Sequence, residues 1–320
     1  MDLIEEKDRL TAECIGCKRC TKVCPSASKG GVIPHEVMAA GTGDVSTCIM
    51  CGNCSRVCKK TDPMAVMKII RYAANGGNFG DSYERYGFTM PPSDMAVPEP
   101  KWNGEDVTVI SGCVIKCKAP FLENATASAL RSMGIGCRPL KGESCCLRPP
   151  MFANIGRDEK TERRERMVRE VGAGEILCLC TGCADEMSVI REKEEGTIDF
   201  LYGNIGLLPK DPHPLRLAIE TGCEASDKRD MVKEIVERMG HIDIGNTMGC
   251  CGKDTKVAAD LMADRETECK DADAILAVCP KCFTEYDSYK GGKPVMFIME
   301  LVAMAFGDIS TLRYHNIPVE

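Results

Sequence analysis

The chain has 320 residues, 22 of them cysteine, with Lys+Arg 41 against Asp+Glu 48 and a formal net charge of −7. That length fits two or three domains with real hydrophobic cores, so disulfides are not needed as staples. The acidic start lacks an apolar h-region, and no run reaches the roughly 18 apolar residues of a membrane helix, so a cytoplasmic protein whose thiols bind metal is expected.

The longest apolar run, Val295 to Phe306, carries Glu300. The net negative charge and 5% aromatic content argue against nucleic acid as a partner.

Eight cysteines lie between Cys14 and Cys58, none between Cys58 and Cys113, and fourteen from Cys113 to Cys282. Residues 1–75 read as a helical domain between cysteine loops. Pro34–Ala40 and Pro63–Ala74 are its clearest helices, each opened by a proline. Residues 76–104 are rich in Gly and Pro and read as a linker.

After residue 105 the pattern changes. Val107–Ile110, Glu175–Leu179, Leu215–Ile219 and Ala274–Val278 are short apolar strands, each running into a cysteine. Helices are expected over Ala119–Met133 and Ala184–Glu194. Such alternation predicts α/β lobes with a mostly parallel sheet, and ligands there bind at the carboxyl ends of strands. Arg157–Glu170 mixes both charges and reads as an exposed helix.

Two cysteine patterns repeat. Cys14-x-x-Cys17-x-x-Cys20-x-x-x-Cys24-Pro25 has the spacing of a bacterial-ferredoxin [4Fe–4S] run, and Cys48, Cys51, Cys54 and Cys58 repeat it with Lys59 in place of the proline. Two-residue gaps let one loop supply three corners of a cube, and the fourth cysteine reaches the other cluster. The expected sets are Cys14, Cys17, Cys20 and Cys58, and Cys48, Cys51, Cys54 and Cys24. Zinc in Cys₄ sites is the alternative.

The second pattern is a single cysteine, an adjacent pair and a C-x-x-C. It occurs as Cys113, Cys145-Cys146, Cys180/Cys183 and again as Cys223, Cys250-Cys251, Cys279/Cys282. The gaps are 31 and 33 residues in the first copy and 26 and 27 in the second. Two copies predict two similar lobes, at 105–205 and 206–320, whose sites face a shared cleft. Five thiolates exceed what a cubane needs, and soft sulfur selects iron–sulfur or zinc.

The residues Gly112-Cys113, Ser144-Cys145-Cys146, Leu179-Cys180, Cys250-Cys251-Gly252 and Cys279-Pro280-Lys281-Cys282-Phe283 resemble the CCG domains of heterodisulfide reductase. The N-terminal part resembles that enzyme's small ferredoxin-like subunit. The fold class so implied is an α-helical two-cluster ferredoxin-like domain followed by two repeated α/β (CCG, Rossmann-like) lobes.

By that resemblance each five-cysteine set holds a noncubane [4Fe–4S] cluster, beside two cubane [4Fe–4S] clusters. The implied reaction reduces the mixed disulfide of coenzyme M and coenzyme B. Related layouts serve as electron-transfer subunits of flavin-dependent 2-hydroxy acid or glycerol-3-phosphate dehydrogenases, in which case no substrate binds here. Leu147 stands where the family usually has Pro.

The implied partner is an electron-donor protein: a flavoprotein, hydrogenase, formate dehydrogenase or membrane cytochrome. No G-x-G-x-x-G follows a strand and no P-loop occurs, so this chain is expected to bind no nucleotide or flavin. Lys116, Arg148, Lys253 and Lys281 lie near cluster cysteines and are candidates to hold an anionic substrate, or plain surface charges. Cys117, Cys137, Cys178 and Cys269 are left over as buried small hydrophobes, with Cys117 the best alternative ligand. The four histidines show no ligand spacing.

Overall fold

The computed structural model describes residues 2–76, 81–172, 174–190, 194–246, 249–252, 255–289 and 292–315. Its N-terminal part is helical, with α1 (Leu3–Ala12), α2 (Arg19–Lys22), α3 (Pro25–Ser28), α4 (Pro34–Ala40), α5 (Asn53–Val57) and α6 (Pro63–Ala74). Prolines pre-set the first turns of α4 and α6, and the Asp62 carboxylate caps α6 by accepting from Ala65 N at 3.0 Å. Leu10, Val37, Met38, Val66 and Met67 form a small separate core between these helices.

Helix α7 (Asp81–Tyr86) falls in the Gly/Pro-rich stretch. The chain beyond it is fastened to the next unit. Gly87 O accepts from Cys145 N at 2.8 Å, and Met95, Val97 and Trp102 pack on the main core.

The rest of the chain contains two four-stranded parallel sheets among the described residues. The first is built from β1 (Val107–Ile110), β2 (Cys137–Pro139), β3 (Glu175–Cys178) and β4 (Glu194–Gly196), in the order β2-β1-β3-β4. Around it lie α8 (Gly112–Lys118), α9 (Phe121–Ser132), α10 (Arg157–Val168), α11 (Thr181–Met187) and α12 (Thr197–Gly203). The second sheet repeats the order with β5 (Arg216–Glu220), β6 (Ile242–Asp243), β7 (Ala274–Ala277) and β8 (Val295–Phe297), as β6-β5-β7-β8. Its helices are α13 (Arg229–Arg238), α14 (Ala258–Glu268), α15 (Pro280–Ser288) and α16 (Ile298–Ala305).

One hydrophobic core spans both sheets, with α9 packed on α16. Phe121, Phe283 and Phe297 meet edge to face there, and burial of each ring stabilises by about 1.5–3 kcal/mol. The apolar run Val295 to Phe306 turns out to be β8 followed by the buried helix α16. Among the described residues no helix is long and apolar enough to cross a membrane.

Two expectations need correction. The helix expected over Ala184–Glu194 starts earlier, at Thr181, and ends at Met187, while Glu194 opens β4. Ser188 turns its hydroxyl onto the Asp185 carbonyl at 2.9 Å, and β-branched Val189 and Ile190 follow. The Arg157–Glu170 segment is helical over α10, but it is not wholly exposed. Arg164 is buried, and its guanidinium Nε donates to the Cys146 carbonyl at 2.8 Å.

Candidate metal and redox site

The helical unit contacts segments that flank both sheets. Helix α6 packs on the Pro150–Phe152 turn just beyond the first cysteine pair. Arg56 donates to the Cys223 carbonyl at 2.8 Å, and Lys29 pairs with Asp264 at 2.6 Å.

The two N-terminal cysteine loops share one backbone shape. The residues on either side of the middle cysteine are left-handed in both: Gly16 and Lys18 around Cys17, Met50 and Gly52 around Cys51. Cys24 sits with Cys48, Cys51 and Cys54 around one small pocket. Burial pushes the Cys48 thiol up to about 11 and the Cys54 thiol up to about 12, with the neighbouring thiols adding to the effect. In the other set Cys20 is buried near Cys14, while Cys17 is exposed.

At the ends of β1 and β5 the chain makes the same turn twice. Gly112 and Gly222 hold φ of +81° and +83°, so that Cys113 and Cys223 tuck under the C-x-x-C of their own lobe. A Cβ on Gly222 would lie 2.7 Å from Cys279 Cβ, and one on Gly112 would lie 3.1 Å from Cys183 Sγ. Gly222→Ala therefore faces both a strained φ and a clash. It is expected to cost about 1–3 kcal/mol and part of the iron, read by thermal unfolding and metal analysis. The adjacent pairs also correspond. Leu147 after Cys145-Cys146 and Gly252 after Cys250-Cys251 hold φ of 62° and 67°. Proline, fixed near −65°, could not take the Leu147 conformation.

Cys180 and Cys279 occupy the N-cap positions of α11 and α15. The result is one series of neighbouring thiols, each perturbing the next, around a shared cavity. It runs Cys113, Cys145, Cys146, Cys183, Cys180, then Cys279, Cys282, Cys251, Cys250, Cys223. The order reads the same from either end: single, pair, C-x-x-C. Past Cys223 the line continues to Cys51 of the helical unit.

All ten thiols, with Cys51, line one cavity of about 340 Å³. Among the described residues no three His, Cys, Asp or Glu side chains close on a single-ion site. The donor set is a ring of soft sulfur around a space, which fits iron–sulfur groups.

Cations share the cavity wall. Lys281 is half-buried there. Burial alone would push its pKa down, but Cys180, Glu224, Cys279 and Cys146 outweigh that and keep the ammonium charged. Arg148 is buried and pairs with Asp185, with Glu186 at 3.2 Å and with Glu224 at 3.6 Å. Lys116 does not line the cavity; it reaches Glu123 at 2.5 Å and Glu143 at 4.0 Å. Lys253 lies outside the described residues.

Cys117 donates to the Met90 carbonyl at 3.3 Å and stays out of the cavity, and Cys137, Cys178 and Cys269 are buried away from it. His241 and His315 are buried against Asp211 and Glu300.

Local sequence reasoning missed Lys68 and Arg71, which enter the cavity from α6 of the other unit. Burial and the nearby Arg148 pull Lys68 down to about 8. Arg71 is held by the carbonyls of Val45 and Cys48, at 2.5 and 2.6 Å. It also missed buried Glu143 and Glu220, whose carboxyls burial pushes up to about 7 and about 8.

Comparison with known proteins agrees with this chemistry. A family profile described as "4Fe-4S dicluster domain" matches residues 7–59. A subunit of the ferredoxin/F(420)H(2)-dependent CoB-CoM heterodisulfide reductase of Methanosarcina acetivorans is 24% identical over 269 residues, covering 63% of this chain and 89% of that protein. The corresponding subunit of the ferredoxin:CoB-CoM heterodisulfide reductase of Methanosarcina mazei is 24% identical over 271 residues, with the same coverage. The chain is an iron–sulfur electron-transfer protein related to this heterodisulfide reductase subunit. Its dicluster domain has the ferredoxin-like character expected of residues 1–75. Both relatives are named as subunits of reductases.

Proposed function

We propose that this chain is the disulfide-reducing subunit of such a reductase. In this reading Cys14, Cys17, Cys20 and Cys58 hold one cubane, and Cys24, Cys48, Cys51 and Cys54 the other. Two noncubane clusters belong to the five-cysteine sets. The two sheets with their helices are then repeated CCG lobes, 105–205 and 206–320, following the domain 1–75 and the connection 76–104. The observation that carries the reading is the two-ended line of ten thiols around one cavity.

Bound clusters supply electrons one at a time, and a disulfide needs two electrons and two protons to become two thiols. Two facing sites match that count. The chain's own residues shape the pocket. Pro149, Pro150, Met151 and Val114 narrow it, while Lys281, Arg148 and Lys68 give it positive charge suited to an anionic disulfide such as that of coenzyme M and coenzyme B. Electrons come from a donor protein. Ferredoxin appears in both relatives' names. The protein works in the cytoplasm, at a membrane only through a partner.

Iron analysis is expected to give on the order of sixteen irons per chain. Oxidised protein given coenzyme M and coenzyme B thiols is expected to develop a paramagnetic signal dependent on the thiols. An iron-replete protein without that signal would instead be a transfer subunit for a flavin dehydrogenase.

A further inference from the structure

The two N-terminal cysteine sets occupy opposite situations. Cys51 lines the same cavity as Cys223, so the set of Cys24, Cys48, Cys51 and Cys54 faces the cavity. The other set faces solvent at Cys17. Beside Cys17, Ile15 is 67% exposed.

Lys18, Arg19 and Lys22 follow it in the sequence and Lys59 and Lys60 follow Cys58, all exposed. None of the five makes an ion pair among the described residues. Helix α2 packs on α5, and the Thr61 hydroxyl donates to the Leu10 carbonyl at 2.6 Å. Those contacts fold the Lys59–Lys60 segment back beside the loop that leaves α1 through Cys14. Of the acids in and just after α1, Glu6 and Glu13 pair with Arg9, and Asp8 with Lys7. A chain of net charge −7 thus carries five exposed cations without ion pairs among the described residues, in and beside the cysteine loops of this set.

We infer that this patch is the docking surface for the electron donor, and that the donor is a small carrier protein with an acidic surface around its redox centre. The inference rests on the proposed entry of electrons through the N-terminal clusters. Electron tunnelling falls steeply with distance, so a donor gains by sitting over the exposed set. An apolar centre ringed by charge is the usual anatomy of such a contact, and complementary charge speeds encounter.

The test uses the iron-replete full chain and an acidic two-[4Fe–4S] ferredoxin, reduced beforehand, as donor. Reduction of the chain is followed by stopped-flow absorbance, with no disulfide present. Uptake is expected to slow as salt rises from about 10 mM to about 1 M, over which the Debye length falls from about 30 to about 3 Å. The triple variant Lys18→Glu, Lys59→Glu, Lys60→Glu is expected to take up electrons at least about tenfold more slowly at low salt, with the salt dependence flattened or reversed. Its uptake from reduced methyl viologen, a small cationic donor, should not fall.

Equal ferredoxin rates in wild type and variant would overturn the inference. If the triple variant loses iron, Lys18→Gln with Lys59→Gln and Lys60→Gln replaces it, and a slowing of about threefold is then required. Because no disulfide is reduced in this assay, failure of the disulfide reading leaves its outcome intact.

Discussion

Cys251→Ala is expected to abolish disulfide reduction while leaving the N-terminal clusters in place. Cys251 lies inside the second half of the thiol series and lines the cavity with Cys250 and Cys282. Loss of an outer partner of a metal ligand typically costs 10- to 100-fold, so removing a ligand itself should cost at least about a hundredfold. Cys24, Cys48, Cys51 and Cys54 belong to a separate pocket and meet the line only through Cys51. Iron should fall by about one cluster, near four of sixteen, and the cubane spectrum should persist. The assay is thiol release from the heterodisulfide with a reduced dye, alongside iron content and low-temperature EPR. Retention of most activity would remove the second lobe from the chemistry. Loss of every cluster at once would show that the four sites assemble as one unit.

Much of the proposed arrangement could be read from the chain because ligating a cluster would impose tight spacing. The C-x-x-C-x-x-C runs are short loops, and their left-handed residues, Lys18 and Met50 included, follow from wrapping a compact body. The strands β1, β3, β5 and β7 were legible because each is a buried apolar run stopped near a cysteine. Their partners β2, β4, β6 and β8 are two or three residues long, too short to carry a period. Lys116 looked like an anchor only because Cys113 is three residues away. Its carboxylate partners, Glu123 and Glu143, come from α9 and from the loop before Cys145. Lys68 escaped notice for the converse reason. It is far from any cavity cysteine in sequence, and α6 brings it there by packing on the Pro150 turn. The palindromic order of the thiols is likewise a tertiary fact. Spacing can count five donors twice, but only the meeting of Cys180 with Cys279 joins the two sets.

That junction is where the second large effect is expected. Lys281 faces Cys180 and Cys146 of the first lobe and Cys279 of its own, with Glu224 alongside. A half-buried ammonium is stabilised by surrounding negative charge, which thiolate-ligated clusters would supply in the proposed reading. Adding an electron to that region is easier beside a fixed cation. A unit charge at contact is worth about 4 kcal/mol at an effective dielectric of 20. Lys281→Met should therefore lower the reduction potential of the cavity clusters by on the order of 100 mV. Lys281→Arg should restore most of the shift, since it keeps the charge. Redox titration followed by EPR reads the potentials, with iron content as the control for assembly. The N-terminal cubanes, farther from this cation, serve as an internal reference. A cavity potential unchanged to within about 20 mV in an iron-replete Met variant would mean that Arg148 and Lys68 carry the compensation instead.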